Sequence, residues 1–335
     1  MFALPGPVSP AAPDASTLPA QWTRSDVRSG FAATDDGEHL YWRRVGPTDR
    51  RPPARRRKAM PHKPAFVCCN GVGVSTFFYK YIVEHFRNDR AVLVWDYRGH
   101  GRSSVPKDID ATDLSIERSA ADLQRVLDAA EIEGPVVLLG HSMGCQVILE
   151  YHKQHPDRVA ALIPMFGTFG RPLDTFLDFK HSATLFGQLR SLAARTDRTS
   201  RRWLLPLYAS PLAFDFSRAT GLVHAWFAPR TDIQRYTDHL GHMDPDVFLG
   251  MVARMADHDL AEHLPTIRCP TLVFGADRDM FTPAHRSTRM AELIPEAELM
   301  LLTEASHAAI VEHPETIALR IERFLHERLL EPLAR

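Results

Sequence analysis

The amino-acid sequence predicts an α/β fold, namely a doubly wound, mostly parallel eight-stranded sheet with a helical cap inserted after the sixth strand. From residue 64 onward, continuously apolar runs of strand length alternate with amphipathic stretches. Such runs are typical of parallel strands that are buried on both faces. The alternation is interrupted once, between residues 167 and 264. The 335 residues, 44% of them apolar, suffice for one α/β core with such an insertion.

The amino-terminal part of the chain does not share this regular pattern. Residues 1–24 are predicted to form a disordered arm, because they contain five prolines and no periodic apolar pattern. Two strands are then predicted, at Arg28–Ala32 and Leu40–Arg44. Residues 43–63 carry nine Lys or Arg and one acid, Asp49. We interpret them as a solvated loop between strands, the alternative being a docking patch for phosphate or acidic lipid.

Six further strands and five helices account for most of the remaining core. The predicted strands are the runs AFVCCNG, AVLVWDY, PVVLLGHS, VAALIPMF, CPTLVFGA and ELMLLT. The predicted helices are Phe77–Phe86, Ile116–Ala130, Met143–His155, Ala284–Ile294 and Glu315–Leu330. A link between a strand and a helix usually takes about 2–6 residues. Nearly a hundred residues at 167–264 are therefore predicted to form a helical cap, or lid, between core segments 25–166 and 265–335.

Composition and charge argue against several classes of protein. The net charge is −1 and the pI is near 7.0, so no overall positive field attracts nucleic acid. No apolar run reaches the roughly 18–20 residues that a membrane span needs. Among four cysteines, Cys68 and Cys69 are adjacent in a predicted strand, which places them on opposite faces. Free thiols and a start unlike a secretory signal favour a cytoplasmic protein; its oligomeric state is left open.

The motif Gly140–Gly144 (GHSMG) lies directly between an apolar strand and a helical pattern. A serine is a weak nucleophile at neutral pH, and it must be exposed beside a base and beside donors for the oxyanion. A tight turn flanked by small residues exposes the hydroxyl of Ser142 in this way. The amino terminus of the following helix directs free N–H groups at the reacting oxygen. The motif therefore predicts a nucleophilic serine.

Together with a second motif, this turn resembles the α/β-hydrolase family of serine hydrolases over roughly residues 25–335. The second motif is Asp96–Ser103 (DYRGHGRS), which is similar to the D-x-R-G-x-G-x-S turn of the family. In relatives that turn shapes the loop beside the site, which implies a structural and not a catalytic role for His100. One departure is Cys145, where many relatives carry glycine.

The resemblance implies a catalytic triad in the order serine, acid, histidine. His307 follows the last predicted strand and is the implied base. Two carboxylates, Asp277 and Asp279, follow the penultimate strand. Relatives place the acid four residues before a proline such as Pro283, which favours Asp279. Counting from Gly275 instead would select Asp277, so both remain candidates.

Two backbone N–H groups are needed to stabilise the oxyanion. Met143, next to Ser142, is predicted to supply one of them. Val72, in the loop after the first parallel strand, is predicted to supply the other. Asn70 and Gly71 of that loop, with His141, are predicted to contact substrate. Many relatives have His-Gly where this chain has Asn-Gly, a change that preserves the backbone donor.

The implied activity is hydrolysis of a carboxylic ester or a related acyl bond of a small apolar substrate, through an acyl-enzyme and without a cofactor. The alternatives are C–C bond hydrolysis, acyl transfer or haloperoxidase-type perhydrolysis by the same triad, or a homologue that binds a ligand without turnover. The pair His239 and His242 has spacing that could hold a metal on a helix. We interpret it as an exposed polar face and predict no metal site.

Overall fold

The computed structural model describes residues 27–47, 63–172 and 211–330, and the described strands form one sheet. The strands are β1 (Val27–Ala33), β2 (His39–Val45), β3 (Ala65–Cys69), β4 (Val92–Trp95), β5 (Val136–His141), β6 (Val159–Met165), β7 (Leu272–Ala276) and β8 (Glu298–Leu302). Their order is β1-β2-β4-β3-β5-β6-β7-β8. The β1–β2 and β2–β4 pairs are antiparallel, and the others are parallel. The predicted doubly wound, mostly parallel eight-stranded sheet is thus confirmed.

The described helices follow the strands in the predicted alternation. They are α1 (Lys80–Phe86), α2 (Ile116–Ala129), α3 (Met143–Gln154), α4 (Pro211–Ala219), α5 (Arg230–His242), α6 (Pro245–Asp257), α7 (Ala284–Leu293), α8 (Ala309–Glu312) and α9 (Pro314–Leu325). Two predicted helices are less regular than expected. A 3₁₀ turn at Thr76–Tyr79 precedes α1, and a π-helical turn at His326–Leu330 follows α9.

The core consists of two apolar layers, one on each face of the sheet. Helices α2, α3 and α7 contribute to one layer, and α1 and α9 contribute to the other. Cys69 belongs to the first layer and Cys68 to the second, which confirms that these neighbours point to opposite faces. Because both faces are covered, the central strands are apolar throughout. Burial of each Val, Leu or Phe side chain stabilises the folded state by about 1.5–3 kcal/mol.

The strand order reverses around β3, which lies between β4 and β5. In open parallel sheets, ligands bind beyond the carboxyl ends of the strands at such a reversal. The loops that follow β3 and β5 begin at Asn70 and Ser142, so both lie at this edge. The fold therefore brings the predicted nucleophile and the predicted oxyanion loop to one place.

The chain between β6 and β7, here called the β6–β7 segment, leaves and re-enters the core at adjacent points. Gly170 pairs with Asp259 in a β-bridge, and the N–H of Leu260 donates to the carbonyl of Phe169 over 3.0 Å. The described part of the segment contains α4, α5 and α6. Residues 173–210 of the predicted cap lie outside the described residues.

Two other sequence predictions also concern residues outside the described ranges. They are the amino-terminal arm at 1–24 and residues 48–62 of the predicted basic loop. The start predicted for that loop, at residue 43, is wrong, because β2 continues to Val45 through its pairing with β4. None of the helices in the described ranges is long and apolar enough to cross a bilayer.

Candidate active site

Ser142 occupies a sharp turn between β5 and α3. Its φ is 56° and its ψ is −120°, a left-handed backbone conformation that residues other than glycine rarely adopt. Such strain costs about 1–3 kcal/mol and persists only where the surroundings fix it. Here the N–H of Ser142 donates to the carbonyl of Met165 over 3.1 Å, and the carbonyl of Ser142 accepts from the N–H of Cys145 over 3.0 Å.

The two glycines of the motif allow close backbone packing at this turn. A β-carbon added to Gly144 would lie 2.1 Å from the carbonyl oxygen of Cys69, and one added to Gly140 would lie 2.5 Å from the carbonyl oxygen of Gly144. Neither backbone atom can move aside as a flexible side chain would. The glycines therefore let the start of α3 pack against the end of β3, which brings Ser142 close to the loop after β3.

Cys145 stabilises the same turn in a way that sequence reasoning missed. Its thiol donates to the carbonyl of Gly140 over 3.2 Å and contacts the carbonyl of Met165 at 3.5 Å. Burial raises the pKa of the thiol, so it stays protonated and acts as a donor. No sequence signal indicates these partners, because one of them lies on β6, 20 residues away.

Asp279 and His307 meet at the carboxyl edge of the sheet. Oδ2 of Asp279 lies 2.8 Å from Nδ1 of His307, and the side chain of Asp279 is fully buried. Its Oδ1 accepts from the N–H groups of Phe281 and Thr282, each over 2.8 Å, and its Oδ2 also accepts from the hydroxyl of Thr282. The carboxylate therefore has a fixed orientation and holds the Nδ1 edge of the imidazole.

Asp277, the other candidate acid, is engaged elsewhere. Its oxygens accept from the N–H groups of Glu304 and Ala305 over 3.1 and 3.2 Å. Asp277 thus links the loop after β7 to the loop that carries His307. Of the two carboxylates, the structure brings Asp279 and not Asp277 to the histidine.

The loop that carries His307 contacts the nucleophile turn through His141. The Nε2–H of His141 donates to the carbonyl of His307 over 3.0 Å, and the two rings are 5.0 Å apart. Within the described residues, no hydrogen bond joins Oγ of Ser142 to the ring of His307. Catalytic hydrogen bonds are often long without substrate and shorten in the Michaelis complex.

His141 is a buried neutral side chain. Burial, reinforced by the nearby His307, lowers the pKa of His141 to about 3. Because Nε2 carries the proton, Nδ1 is an acceptor, and within the described residues this buried atom has no hydrogen-bond partner. A β-carbon on Gly71 would lie 3.3 Å from it. His141 therefore packs between the oxyanion loop and the loop of His307.

The loop after β3, which is predicted to supply an oxyanion donor, lies against Ser142. A β-carbon on Gly71 would be 3.0 Å from Cβ and 3.4 Å from Oγ of Ser142. Asn70 is buried, and its amide nitrogen donates to the carbonyl of Trp95 over 3.1 Å. No hydrogen bond from the N–H of Val72 is found within the described residues. Met143 is the first residue of α3, where N–H groups have no intrahelical acceptor.

The turn at Asp96–Ser103 fixes this loop from behind. The N–H of Gly73, whose φ is +76°, donates to Nε2 of His100 over 3.0 Å, and the N–H of Thr76 donates to Oδ1 of Asp96 over 2.9 Å. Burial lowers the pKa of His100 to about 4 and raises the pKa of Asp96 to about 6. His100 is therefore neutral at neutral pH and accepts the hydrogen bond from Gly73. This contact is consistent with the structural role predicted for His100.

The β6–β7 segment packs over these loops. A β-carbon on Gly73 would meet Leu240 of α5 at 3.1 Å and Phe248 of α6 at 3.2 Å. The ring of His239 lies 6.2 Å from that of His100. The segment thus adds apolar side chains to the same edge of the sheet.

The residues that could hold a metal lie apart from this site. Among the described residues, Glu117, Glu150 and His258 place ligand atoms within 4.8 Å of one another. Glu150 already accepts from Lys153 over 3.2 Å and lies 3.2 Å from Nε2 of His258. Glu150 and His258 are thus already hydrogen-bond partners of each other, and the cluster includes neither His239 nor His242.

This fold agrees with the comparisons to known proteins. The model of the α/β-hydrolase fold family matches residues 64–314, about three quarters of the chain. The chain therefore belongs to the α/β-hydrolase fold family and is a hydrolase of that fold.

Two curated relatives show the level of sequence similarity. A protein of Caulobacter sp. (strain K31) named "Putative carbamate hydrolase RutD" is 27% identical over 255 residues, which are 76% of this chain and 88% of the relative. A protein of the same name from Pseudomonas savastanoi pv. phaseolicola is 28% identical over 257 residues, covering 75% of this chain and 89% of that protein.

Solved structures share the fold. A hydrolase from Pseudomonas aeruginosa PA01 superposes with a TM-score of 0.67 at 23% identity, covering 89% of this chain and 98% of that chain. A thermophilic esterase from Thermogutta terrifontis gives a TM-score of 0.67 at 20% identity, with 90% and 98% covered. At this identity the likeness concerns the fold alone.

Proposed function

We propose that this protein hydrolyses a carboxylic ester or a related acyl bond of a small apolar substrate, with Ser142, His307 and Asp279 as its catalytic triad. The observation that carries the proposal is the buried Asp279 carboxylate, 2.8 Å from Nδ1 of His307, on a loop linked to the strained serine turn through His141. A serine, a base and a group that orients the base are the parts that acyl transfer requires.

The geometry of Asp279 determines the roles of the two imidazole nitrogens. A carboxylate accepts hydrogen bonds, so Nδ1 of His307 carries the proton and Nε2 is left as the base. In the proposed reaction Nε2 takes the proton of Ser142, and Oγ attacks the substrate carbonyl. The N–H groups of Val72 and Met143 stabilise the oxyanion. The leaving group departs with the proton, and water attacks the acyl-enzyme with His307 again as base.

We further propose that residues 167–264 form a cap over this site. The contacts of Leu240 and Phe248 with the oxyanion loop support this, because they place α5 and α6 beside the donors. An apolar covering favours apolar acyl or aryl groups and excludes water from the reaction.

Carbamate hydrolysis is a second candidate, which the name of the RutD relatives favours. A carbamate carbonyl presents the same electrophile to the serine and differs in its leaving group. C–C bond hydrolysis, acyl transfer and perhydrolysis would use the same residues and remain outcomes of the substrate test.

Labelling with a fluorophosphonate probe tests the proposal directly. The wild-type protein is expected to become labelled at Ser142 and to hydrolyse p-nitrophenyl esters, whereas Ser142→Ala is expected to lose both properties. Ser29→Ala, which alters an exposed serine of β1, serves as a matched control and should behave as wild type. A panel of esters and carbamates of increasing chain length then identifies the acyl group. Full turnover by Ser142→Ala would refute the proposal.

A further inference from the structure

The two neighbours of His307 in the chain are linked to one carboxylate, Ser306 directly and Ala308 through the Ser306 hydroxyl. The N–H of Ser306 donates to Oε2 of Glu312 over 2.9 Å, and the hydroxyl of Ser306 donates to Oε1 over 2.6 Å. The N–H of Ala308 donates in turn to the same Ser306 hydroxyl over 3.1 Å. The backbone is therefore fixed immediately before and after the histidine.

A third donor to Glu312 comes from the β6–β7 segment. The N–H of His224 donates to Oε1 of Glu312 over 2.8 Å across 88 residues of sequence. Glu312 is only 7% exposed, and burial of a carboxylate is costly unless its lone pairs are used. The three hydrogen bonds meet that requirement, and one of them depends on where the segment lies.

The side chain of His224 holds the turn that begins at this residue. Nδ1 of His224 accepts from the N–H groups of Trp226 and Phe227 over 3.3 and 3.2 Å. The His224 ring stacks on Phe227 at 4.5 Å, and its Nε2 lies 3.5 Å from Oε2 of Glu304. The side chain of His224 therefore determines where its backbone N–H meets Glu312.

We propose that Glu312 is a positioning residue for His307 and that it makes the alignment of the imidazole depend on docking of the β6–β7 segment at His224. The inference rests on the proposed role of His307 as the catalytic base. A displacement of about 1 Å at a catalytic group can cost about 10²-fold in rate. Glu312 holds the loop on both sides of that group, so loss of its hydrogen bonds affects kcat more than substrate binding.

Glu312→Gln is the most conservative test. The carboxylate accepts three hydrogen bonds, two at Oε1 and one at Oε2. In one amide orientation the new NH₂ faces the N–H of Ser306, and in the other it faces the N–H of His224. Either orientation loses at least one hydrogen bond to a buried donor. We expect kcat to fall about tenfold, with KM within about twofold of wild type.

Glu150→Gln provides a matched control. Glu150 is 2% exposed, and it accepts from Gln154 over 3.0 Å and from Lys153 over 3.2 Å. It also contacts His258, just after α6, so it too joins the core to the β6–β7 segment. It does not contact the loop of His307. Glu150→Gln should lower the thermal midpoint while kcat and KM stay at wild-type values.

A double-mutant cycle tests the dependence on the segment. His224→Ala keeps the backbone donor and Glu312 but removes the docking contacts of the turn. Its effect on kcat should be smaller after Glu312→Gln than in the wild-type background, because the two residues act through one hydrogen bond. Fully additive effects would show that the alignment of His307 is independent of the segment.

Kinetics with a p-nitrophenyl ester and rates of fluorophosphonate labelling are the measurements. If Glu312→Gln does not fold, Ser306→Ala decides, since it removes the hydroxyl bridge and should also lower kcat with little change in KM. Wild-type kcat in either folded variant overturns the inference. Absence of labelling and turnover in the wild-type protein would instead refute the proposed function, on which the inference rests.

Discussion

Replacement of Asp279 by asparagine tests the proposed triad most sharply, because the local hydrogen bonds determine how the new side chain is oriented. Oδ1 of Asp279 accepts from the N–H groups of Phe281 and Thr282, each over 2.8 Å. An asparagine must keep its oxygen there, since an NH₂ group would face two donors. Its NH₂ is then placed where Oδ2 was, facing Nδ1 of His307.

This orientation reverses the tautomer of His307. The NH₂ group donates to Nδ1, so the ring proton moves to Nε2, the atom that is proposed to accept the proton of Ser142. A histidine in the wrong tautomer typically costs about 10⁴-fold in kcat, which corresponds to about 5.4 kcal/mol of transition-state stabilisation. The fold should be retained, because the two backbone hydrogen bonds persist.

The assay compares Asp279→Asn with Asp277→Asn by kcat on a p-nitrophenyl ester and by thermal midpoint. Asp277 is exposed and accepts from two backbone N–H groups of the loop that carries His307. Asp277→Asn should therefore lower kcat less than about tenfold. If Asp279→Asn kept more than a tenth of the wild-type kcat while Asp277→Asn lost activity, the assignment of the acid would be refuted.

Two further predictions concern the turns that support the site. Gly144→Ala should lower the free energy of unfolding by at least about 3 kcal/mol, because its β-carbon would lie 2.1 Å from the carbonyl oxygen of Cys69. Gly134→Ala, with no atom within 4 Å of the added carbon, is the control in the same urea titrations. His100 has its pKa lowered from 6.5 to about 4 in the folded state, so the unfolded state binds more protons between these pH values. The neutral imidazole therefore stabilises the folded state fully above pH 6.5. As the pH falls to 4, the free energy of unfolding decreases by about 3 kcal/mol. His100→Leu should reduce the dependence of the free energy of unfolding on pH, measured by denaturation at a series of pH values. Because the substitution leaves the N–H of Gly73 unpaired, it should also lower kcat. A pH dependence equal to that of the wild type would contradict the reasoning.

Local patterns were sufficient to predict the core of this protein. All eight strands were predicted, and β3 to β8 were predicted from continuous apolar runs, the signal that strands buried on both faces leave in the sequence. The motif GHSMG predicted the turn at Ser142, because a serine flanked by small residues between a strand and a helix is a local pattern. The exact start of the basic loop was not predictable, since β2 ends where pairing with β4 ends.

The spacing to Pro283 favoured Asp279, but the sequence left Asp277 as an alternative acid. Asp277 and Asp279 are two positions apart on one loop, and only its folded path turns one toward His307 and the other toward Glu304. The contacts of Cys145 could not be predicted either, because one partner, Met165, lies on another strand and is brought close only by tertiary packing.

The sequence by itself predicted the strands, the turn at Ser142 and the candidate catalytic residues, because apolar runs and short motifs are patterns of near neighbours along the chain. The tertiary structure decided which acid holds the histidine, which groups fix the oxyanion loop and how Glu312 joins the His307 loop to His224. These contacts join residues between 6 and 88 positions apart in the sequence. A buried polar atom must find a partner, and the chain's path in space determines which one it finds.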